Sequence, residues 1–170
     1  MASAYLSRTP SSASNRTTWT WSGWIKRANL TGTQMVLFGS KSSPSDTGIW
    51  FQTDNSLQFF NNVSGTVSQI RTNRLFRDTS AWYHIVCVWD SSNATAGDRM
   101  KMYINGVEET SFQTDTNPSQ NDNSMVNNTE LHQIGRVDSV YYFDGSMSHI
   151  NFIDGTAYDA STFGESDSNG

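Results

Sequence analysis

The chain has 170 residues, a net charge of -5 and one cysteine, and 16% of its residues are charged. This length is enough for one domain that buries about two-thirds of its unfolded surface. A negative net charge without a basic run argues against a nucleic-acid partner. No apolar run approaches the ~20 residues of a spanning helix, and the first residues lack a signal peptide's basic start and apolar stretch. We therefore predict neither membrane insertion nor a signal peptide.

The composition is typical of a β-protein. Hydrophobic residues make up 35% of the chain and aromatic residues 12%. Serine, threonine and asparagine, which compete with helices and favour turns, supply much of the polar surface. The single cysteine, Cys87, excludes an intrachain disulfide, and its apolar neighbours predict a buried, inert thiol.

The first strands are predicted from alternation. Residues 2–8 are a candidate edge strand, and residues 17–26 place Trp19, Trp21, Gly23 and Ile25 on one face, which we predict to be core. Trp24 lies on the other face, and we expect a loop to cover it. Residues 48–53 and 56–61 then form a predicted hairpin across Asp54-Asn55, both of which accept turn geometry.

The central strand is predicted at residues 81–90, which are rich in aromatic and β-branched side chains. In residues 99–107 apolar and polar side chains alternate up to Asn105-Gly106, a pair that tolerates the positive φ of a tight hairpin turn. Residues 113–129 form a long polar loop, predicted to be functional or mobile. Strands follow at 131–136, 140–143 and 145–153, and residues 160–164 form a candidate helical turn. Strands at this spacing without helical periodicity indicate an all-β sandwich.

Four segments in register carry a family resemblance. They are Thr18 to Lys26, Trp82 to Asp90, Lys101 to Gly106, and Ile134 to Arg136 with Phe143 to Ile150. Together they resemble the strands of laminin-G-like, concanavalin A-like jelly-roll domains. The resemblance implies an antiparallel two-sheet β-sandwich over residues 1–165, with 166–170 as a polar tail or the start of a linker.

A narrower resemblance lies near the two termini. The segments Tyr5 to Pro10, Phe143 to Gly145, Asp154 to Tyr158 and Phe163 to Glu165 are similar to laminin-G-like domains of virion proteins in tailed phages. In such proteins these domains decorate tail fibres or capsids. The resemblance implies a chain made in the host cytoplasm and displayed on the virion surface.

Catalytic signals are weak. Glycosidases need two carboxylates about 5–10 Å apart, and the E-x-D-x-x-E motif of the β-glucanases built on this fold does not occur. Glu108 and Glu109 are adjacent and so point to opposite faces of a strand. His84, His132 and His149 lie in three different predicted strands without a metal or triad motif. We therefore predict that the protein is not an enzyme.

Calcium is a possible cofactor. Related lectin-type domains hold Ca²⁺ at the rim of the sandwich through loop oxygens, which suit a hard cation. The candidate ligands are Asp90, Asp98, Asp138 and Asp144, all near predicted loops. The alternative is that they are solvated turn aspartates.

Sugar binding needs aromatic faces and polar groups that fix hydroxyls. Three adjacent aromatic pairs on predicted strands each send one ring outward. The candidate ligand-binding residues are Trp50, Phe60, Tyr141, Tyr142 and, for its amide, Asn128. The alternative is that a neighbouring subunit, including a second copy of the chain, covers these rings.

The sequence therefore predicts a non-catalytic carbohydrate-binding or adhesion module on a virion surface, in a tail fibre or a capsid appendage. A structural decoration or assembly domain that contacts other virion subunits is the alternative, and a glycoside hydrolase is a distant third. The predicted partner is a glycan in the first case and another virion subunit in the second, and a homo-oligomer is compatible with both.

Overall fold

The computed structural model describes residues 4–30 and 32–165, which form strands joined by turns and two 3-10 helical turns, Ala96–Asp98 and Ala160–Thr162. The strands are β1 (Leu6–Arg8), β2 (Thr18–Arg27), β3 (Met35–Ser42), β4 (Ser45–Phe51), β5 (Ser56–Val63), β6 (Thr66–Leu75), β7 (Tyr83–Asp90), β8 (Met100–Ile104), β9 (Val107–Glu108), β10 (Phe112–Thr116), β11 (His132–Ile134) and β12 (Gly145–Asp154). No helix in this part of the chain is long and apolar enough to cross a membrane.

Two antiparallel sheets pack face to face. The seven-stranded sheet has the order β1-β11-β3-β4-β5-β6-β10, and the five-stranded sheet has the order β12-β2-β7-β8-β9. The predicted two-sheet β-sandwich is therefore confirmed. The predicted central strand corresponds to β7, which pairs with β2 on one side and β8 on the other.

The core lies between the sheets and is built by period-two alternation along the strands. The predicted inward residues of β2, Trp19, Trp21 and Ile25, are fully buried. Trp19 meets Phe59 of the opposite sheet edge-to-face, with ring centroids 5.4 Å apart. Cys87 lies in the same core, and burial raises the pKa of its thiol above its usual range. The cysteine is therefore buried and unreactive, as predicted.

Both predicted hairpins form. Asn105 and Gly106, with φ of 52° and 82°, connect β8 to β9, and Asn55, with φ of 73°, lies in the turn between β4 and β5. Residues in these left-handed conformations are the ones such turns require. The predicted helical turn near residue 160 is also present, at Ala160–Thr162.

Two predictions of local structure were wrong. Residues 140–143 are not a strand. Val137 and Tyr141 lie on the outer face of the seven-stranded sheet, against Gly39 and Trp50, whereas Phe143 is buried in the core between the sheets. The long loop predicted at 113–129 begins with strand β10, and its later part packs into the core through Val126. In both segments tertiary contacts override a weak local pattern. The predicted polar tail, residues 166–170, lies outside the described residues.

Candidate functional site

Three of the predicted ligand-binding residues, Trp50, Phe60 and Tyr141, come together on the outer face of the seven-stranded sheet. Trp50 of β4 and Phe60 of β5 stack with ring centroids 4.3 Å apart and planes 6° apart. Tyr141 contacts Trp50 edge-to-face at 6.1 Å. Their strand neighbours Phe51 and Phe59 point into the core, so alternation correctly predicted the outward direction of two of these rings.

The chain itself covers much of this aromatic cluster. Phe60 is only 7% exposed and lies against Gly48, where an added Cβ would sit 3.1 Å from its ring. Val137 packs over Gly39, the strand partner of Gly48. The rings therefore help to anchor the segment from 135 to 144 on the sheet, a role that needs no neighbouring subunit.

The N–H group of the Trp50 indole is also hydrogen-bonded within the protein. Its Nε1–H donates to Gln58 Oε1 at 3.2 Å. Gln58 belongs to a row of glutamine amides across the sheet, in which Gln34 donates to Gln52, Gln52 to Gln58 and Gln58 to Gln69. Because Trp50 is bonded at its edge and stacked on one face, less of its surface is available to a ligand.

The other two predicted ligand-binding residues lie elsewhere. Tyr142 accepts a hydrogen bond from Arg136 at 3.2 Å, and Arg136 also lies over the ring of Tyr5, 3.5 Å from its centroid. Asn128 is in the loop between β10 and β11, where its backbone N–H donates to the carbonyl of Met125 at 3.4 Å. The structure does not bring either residue to Trp50.

The four aspartates predicted as calcium ligands each have a protein partner. Asp98 pairs with Lys101 at 2.9 Å, and Asp138 pairs with Lys41. The amide of Asn29 donates to Asp144, and the hydroxyls of Thr18 and Ser92 donate to Asp90 at 3.3 and 2.5 Å. Within residues 4–30 and 32–165, no three His, Cys, Asp or Glu side chains are grouped so that they could hold a metal ion.

A different aromatic site, which the sequence did not predict, lies on the outer face of the five-stranded sheet. It is a cavity of about 690 Å³, with the half-exposed indoles of Trp24 and Trp82 on its walls. The other described lining residues are His84, Asn105, Gly106, Ala160, Ser161, Phe163, Gly164 and Glu165. The loop expected to cover Trp24 does not bury it, since 39% of its surface stays exposed.

Strand register places these rings together. Trp24 of β2 and His84 of β7 are direct cross-strand partners. Trp82 precedes His84 by two residues and so shares its face of the sheet. The sequence did contain a signal, because Trp24 and Trp82 each occupy an outward position on its segment. Only the pairing of β2 with β7 shows that the two indoles meet.

His84 forms the floor of the cavity and is held rigidly. Its ring stacks on Trp24 with centroids 5.1 Å apart, and its Nε2 lies 2.9 Å from the hydroxyl of Ser22. Its backbone N–H donates to Oδ1 of Asn105 at 2.9 Å, which ties the β8–β9 turn to the floor. Burial lowers the pKa of His84, so the ring is neutral at pH 7.

The remaining wall is the C-terminal segment. Ala160 and Phe163 pack on the outward side chains of Val86 and Val88 of β7. Thr20 secures the segment further, because its hydroxyl donates to the carbonyl of Thr156 at 2.8 Å and accepts from the N–H of Tyr158 at 2.9 Å. The wall that carries Ser161 and Glu165 is thus fixed to the sheet.

A second cavity, of about 640 Å³, lies where β1, β11 and β12 meet at the edges of the sheets. Phe38 and Phe152 form its aromatic part, with ring centroids 5.5 Å apart. Its polar groups bond one another: His132 Nε2 accepts from the backbone N–H of Asn127 at 2.9 Å, and Asp154 accepts from the side chain of Asn127 at 2.8 Å. These groups stabilise the closure of the sandwich.

Residues 2–160 match the model of a laminin-G-type protein family, which is described as the concanavalin A-like lectin/glucanases superfamily. The chain belongs to this superfamily. The match to the superfamily ends at Ala160, so the part of the cavity wall that follows, including Ser161 and Glu165, lies beyond it.

Solved structures of similar fold agree with membership of the superfamily. Domain 4 of AbnA, a GH43 extracellular arabinanase from Geobacillus stearothermophilus solved with arabinotriose, has a TM-score of 0.65 at 20% identity, covering 85% of this chain and 64% of that one. The carbohydrate-binding module CBM66 from Bacillus subtilis gives 0.54 at 14% identity, with coverages of 90% and 84%.

Domains LG4-5 of the mouse laminin α1 chain give a TM-score of 0.57 at 14% identity, covering 88% of this chain and 38% of that one. The chain therefore spans less than two-thirds of the length of the laminin and arabinanase structures. At these identities the likeness concerns the fold. A comparison with curated protein sequences gave no match.

Proposed function

We propose that this protein is a non-catalytic carbohydrate-binding module and that its binding site is the cavity between Trp24 and Trp82. The observation that carries the proposal is the exposure of the two indoles, 39% and 41%, on the walls of one cavity. Exposed apolar rings gathered in a concave site mark a place where a ligand is bound.

The chemistry of the lining suits a sugar. The C–H faces of a sugar ring pack on the flat faces of indoles, while hydroxyl groups need hydrogen-bonding partners. Asn105, Ser161 and Glu165 supply amide, hydroxyl and carboxylate groups at the same cavity, together with the backbone of two glycines. A volume of about 690 Å³ is within the usual range for small-ligand pockets, which favours a short oligosaccharide or the end of a longer one.

The relatives support this class of ligand. One neighbour in fold is a carbohydrate-binding module by name, and another is a domain of an arabinanase observed with arabinotriose. The superfamily itself is described as lectins and glucanases. Of these two activities, the cavity favours binding.

The carboxylates of the chain favour binding over catalysis. Glycoside hydrolysis needs two carboxyl groups that flank one bond, whereas Glu165 is the one carboxylate among the described residues that line the cavity. Glu108 and Glu109 are each in an ion pair, with Lys101 at 3.5 Å and with Arg74 at 2.9 Å. We therefore assign binding without hydrolysis.

The setting that the sequence resemblance implies is a virion surface, where such a module would attach the particle to glycans of the host cell. The alternative structural role was based on outward aromatics in need of a partner. Because Phe60 is nearly buried against the protein's own chain, that argument is weaker than the argument for the tryptophan cavity.

A glycan array probed with the purified protein, followed by calorimetry on the best binders, tests the proposal. Trp24→Ala and Trp82→Ala should each weaken binding at least about fivefold, because a stacked ring contributes roughly 1 kcal/mol or more. Trp50→Ala serves as the matched control from the other sheet and should leave affinity unchanged. Binding lost in Trp50→Ala but kept in the other two variants would move the site to the seven-stranded sheet. A protein that binds no glycan on the array would contradict the proposal.

The same array, run with calcium and with EDTA, tests the predicted calcium site. Because Asp98, Asp138 and Asp144 already have partners and the cavity is lined by one carboxylate, we expect EDTA to leave binding unchanged. Binding abolished by EDTA and by Asp90→Asn would instead place calcium at the rim of the sandwich.

A further inference from the structure

The charge on the cavity wall is negative. Glu165 is the one acidic residue among those described as lining the cavity, and no lysine or arginine is among them. The whole chain also carries a net charge of -5. An anionic ligand would therefore meet a negative wall on a negative protein.

The nearby bases do not offset this charge. His84 is 6% exposed and bonded to Ser22, and burial keeps it neutral. Lys101 is in ion pairs with Asp98 and Glu108. Lys26 lies two residues beyond Trp24 on the same face of β2, but it is not among the residues that line the cavity.

Glu165 lies on a segment that is fixed to the sheet. Phe163, two residues before it, packs on the buried cluster of Val86, Val88 and Ala160. The superfamily match ends at Ala160, so Glu165 lies beyond the matched residues. A charged residue on a segment outside the strands can set the selectivity of a site without changing the scaffold.

We propose that the cavity selects uncharged glycans and that Glu165 is the residue that discriminates against glycans bearing a carboxylate or sulfate group. This inference rests on the proposed function, because it concerns the same cavity. A carboxylate accepts strong hydrogen bonds from sugar hydroxyls. The same carboxylate repels a carboxylate or sulfate brought within a few ångströms, and placing like charges together is an established way to reject a wrong partner.

The test uses matched glycan pairs on one array: lactose with sialyllactose and sulfated lactose, and a broad set of neutral oligosaccharides, each beside its sialylated, uronate or sulfated form. We expect the wild-type protein to prefer the neutral member by about tenfold at low ionic strength, the order expected for one like-charge contact near water. Added salt should reduce the preference by screening.

Two variants locate the effect. Glu165→Gln should reduce the preference to within about twofold, and Glu165→Lys should reverse it. Asp115→Asn is the control, since it removes the same charge from β10 on the opposite sheet and should leave the preference intact.

The outcomes separate the two proposals. Binding that depends on Trp24 but is equal for neutral and charged members, or a preference that survives Glu165→Gln, would overturn this inference and leave the proposed function standing. Stronger binding of the anionic members by the wild-type protein would also overturn it. If no glycan of either kind binds, the proposed function fails, and the inference fails with it.

Discussion

The indole of Trp24 stacks on the imidazole of His84, its direct cross-strand partner, with ring centroids 5.1 Å apart and planes 25° apart. This pair joins one wall of the proposed binding site, the indole of Trp24, to its floor, the ring of His84. Cross-strand pairs on one face of a sheet support each other, so the ring beneath helps to fix the orientation of the ring above. The floor is therefore set before any ligand arrives.

His84 should act as a positioning residue for Trp24. His84→Ala removes the supporting ring and should weaken glycan binding by roughly threefold to tenfold, in line with the ~0.5–1.5 kcal/mol of an aromatic pair. His84→Phe keeps a ring but loses the contact with Ser22, and should retain most of the affinity. Calorimetry with the best array glycan measures both variants. Equal losses in the two would contradict the stacking role.

Stability should depend on pH through two histidines, the buried His84 and the half-buried His132. Burial lowers the pKa of both His84 and His132, so they bind a proton less readily in the folded protein than in the unfolded chain. Below the unfolded value of about 6.5, unfolding takes up protons, and the contribution of these groups to stability is lost as the pH falls. Above about pH 7 the two histidines are neutral in both the folded and the unfolded state, so their contribution to the free energy of unfolding is constant.

Urea unfolding measured from about pH 8 to about pH 5 checks this dependence. The free energy of unfolding of the parent protein should decrease across the acidic half of that range. In the double variant His84→Gln and His132→Gln, the decrease should be smaller. An equally steep decrease in the double variant would show that other groups cause the acid destabilisation.

A buried hydroxyl holds the core tryptophan of β2. The Nε1–H of Trp19 donates to Ser124 Oγ at 2.9 Å, and both residues are fully buried. Ser124→Ala leaves that donor without a partner and should lower the free energy of unfolding by about 1–3 kcal/mol. Ser119→Ala, an exposed serine in the same loop, is the control and should change it by less than about 0.5 kcal/mol. Urea unfolding followed by tryptophan fluorescence measures both, and equal effects would refute the assignment.

One glycine is required by close contact. Gly145 begins β12, and an added Cβ would meet the carbonyl oxygen of Lys26 well inside contact distance and lie 2.7 Å from the ring of Phe143. Gly145→Ala should therefore destabilise the fold by at least about 2 kcal/mol. Gly97→Ala is the matched control, because nothing lies within 4 Å of the position of its added Cβ. Thermal unfolding of the two variants gives the comparison, and similar melting temperatures would contradict it.

Most of the fold could be predicted from local patterns. Alternation in residues 17–26 identified Trp19, Trp21 and Ile25 as core, and Asn105-Gly106 and Asp54-Asn55 located two hairpins. The segment at 140–143 was mistaken for a strand because its aromatic residues have high β-propensity, while its conformation is set by contacts with the sheet below it.

The candidate site was harder to predict. Period-two alternation correctly predicted that Trp50 and Phe60 point outward, but it could not predict that the segment from 135 to 144 packs beside them. It also placed Trp24 outward, and only the pairing of β2 with β7 brings this ring to His84 and Trp82.

The sequence by itself therefore determined which side chains point inward, where the chain turns and which superfamily it resembles, because these follow from a period of two residues and from turn chemistry between near neighbours. The tertiary structure alone decided which outward aromatic rings stay open to a ligand. That outcome depends on which strands pair and on where the segments before β12 and after Thr156 lie. These contacts join residues that are far apart in the chain, 60 positions for Trp24 and His84 and 138 for Thr20 and Tyr158, and no local pattern encodes them.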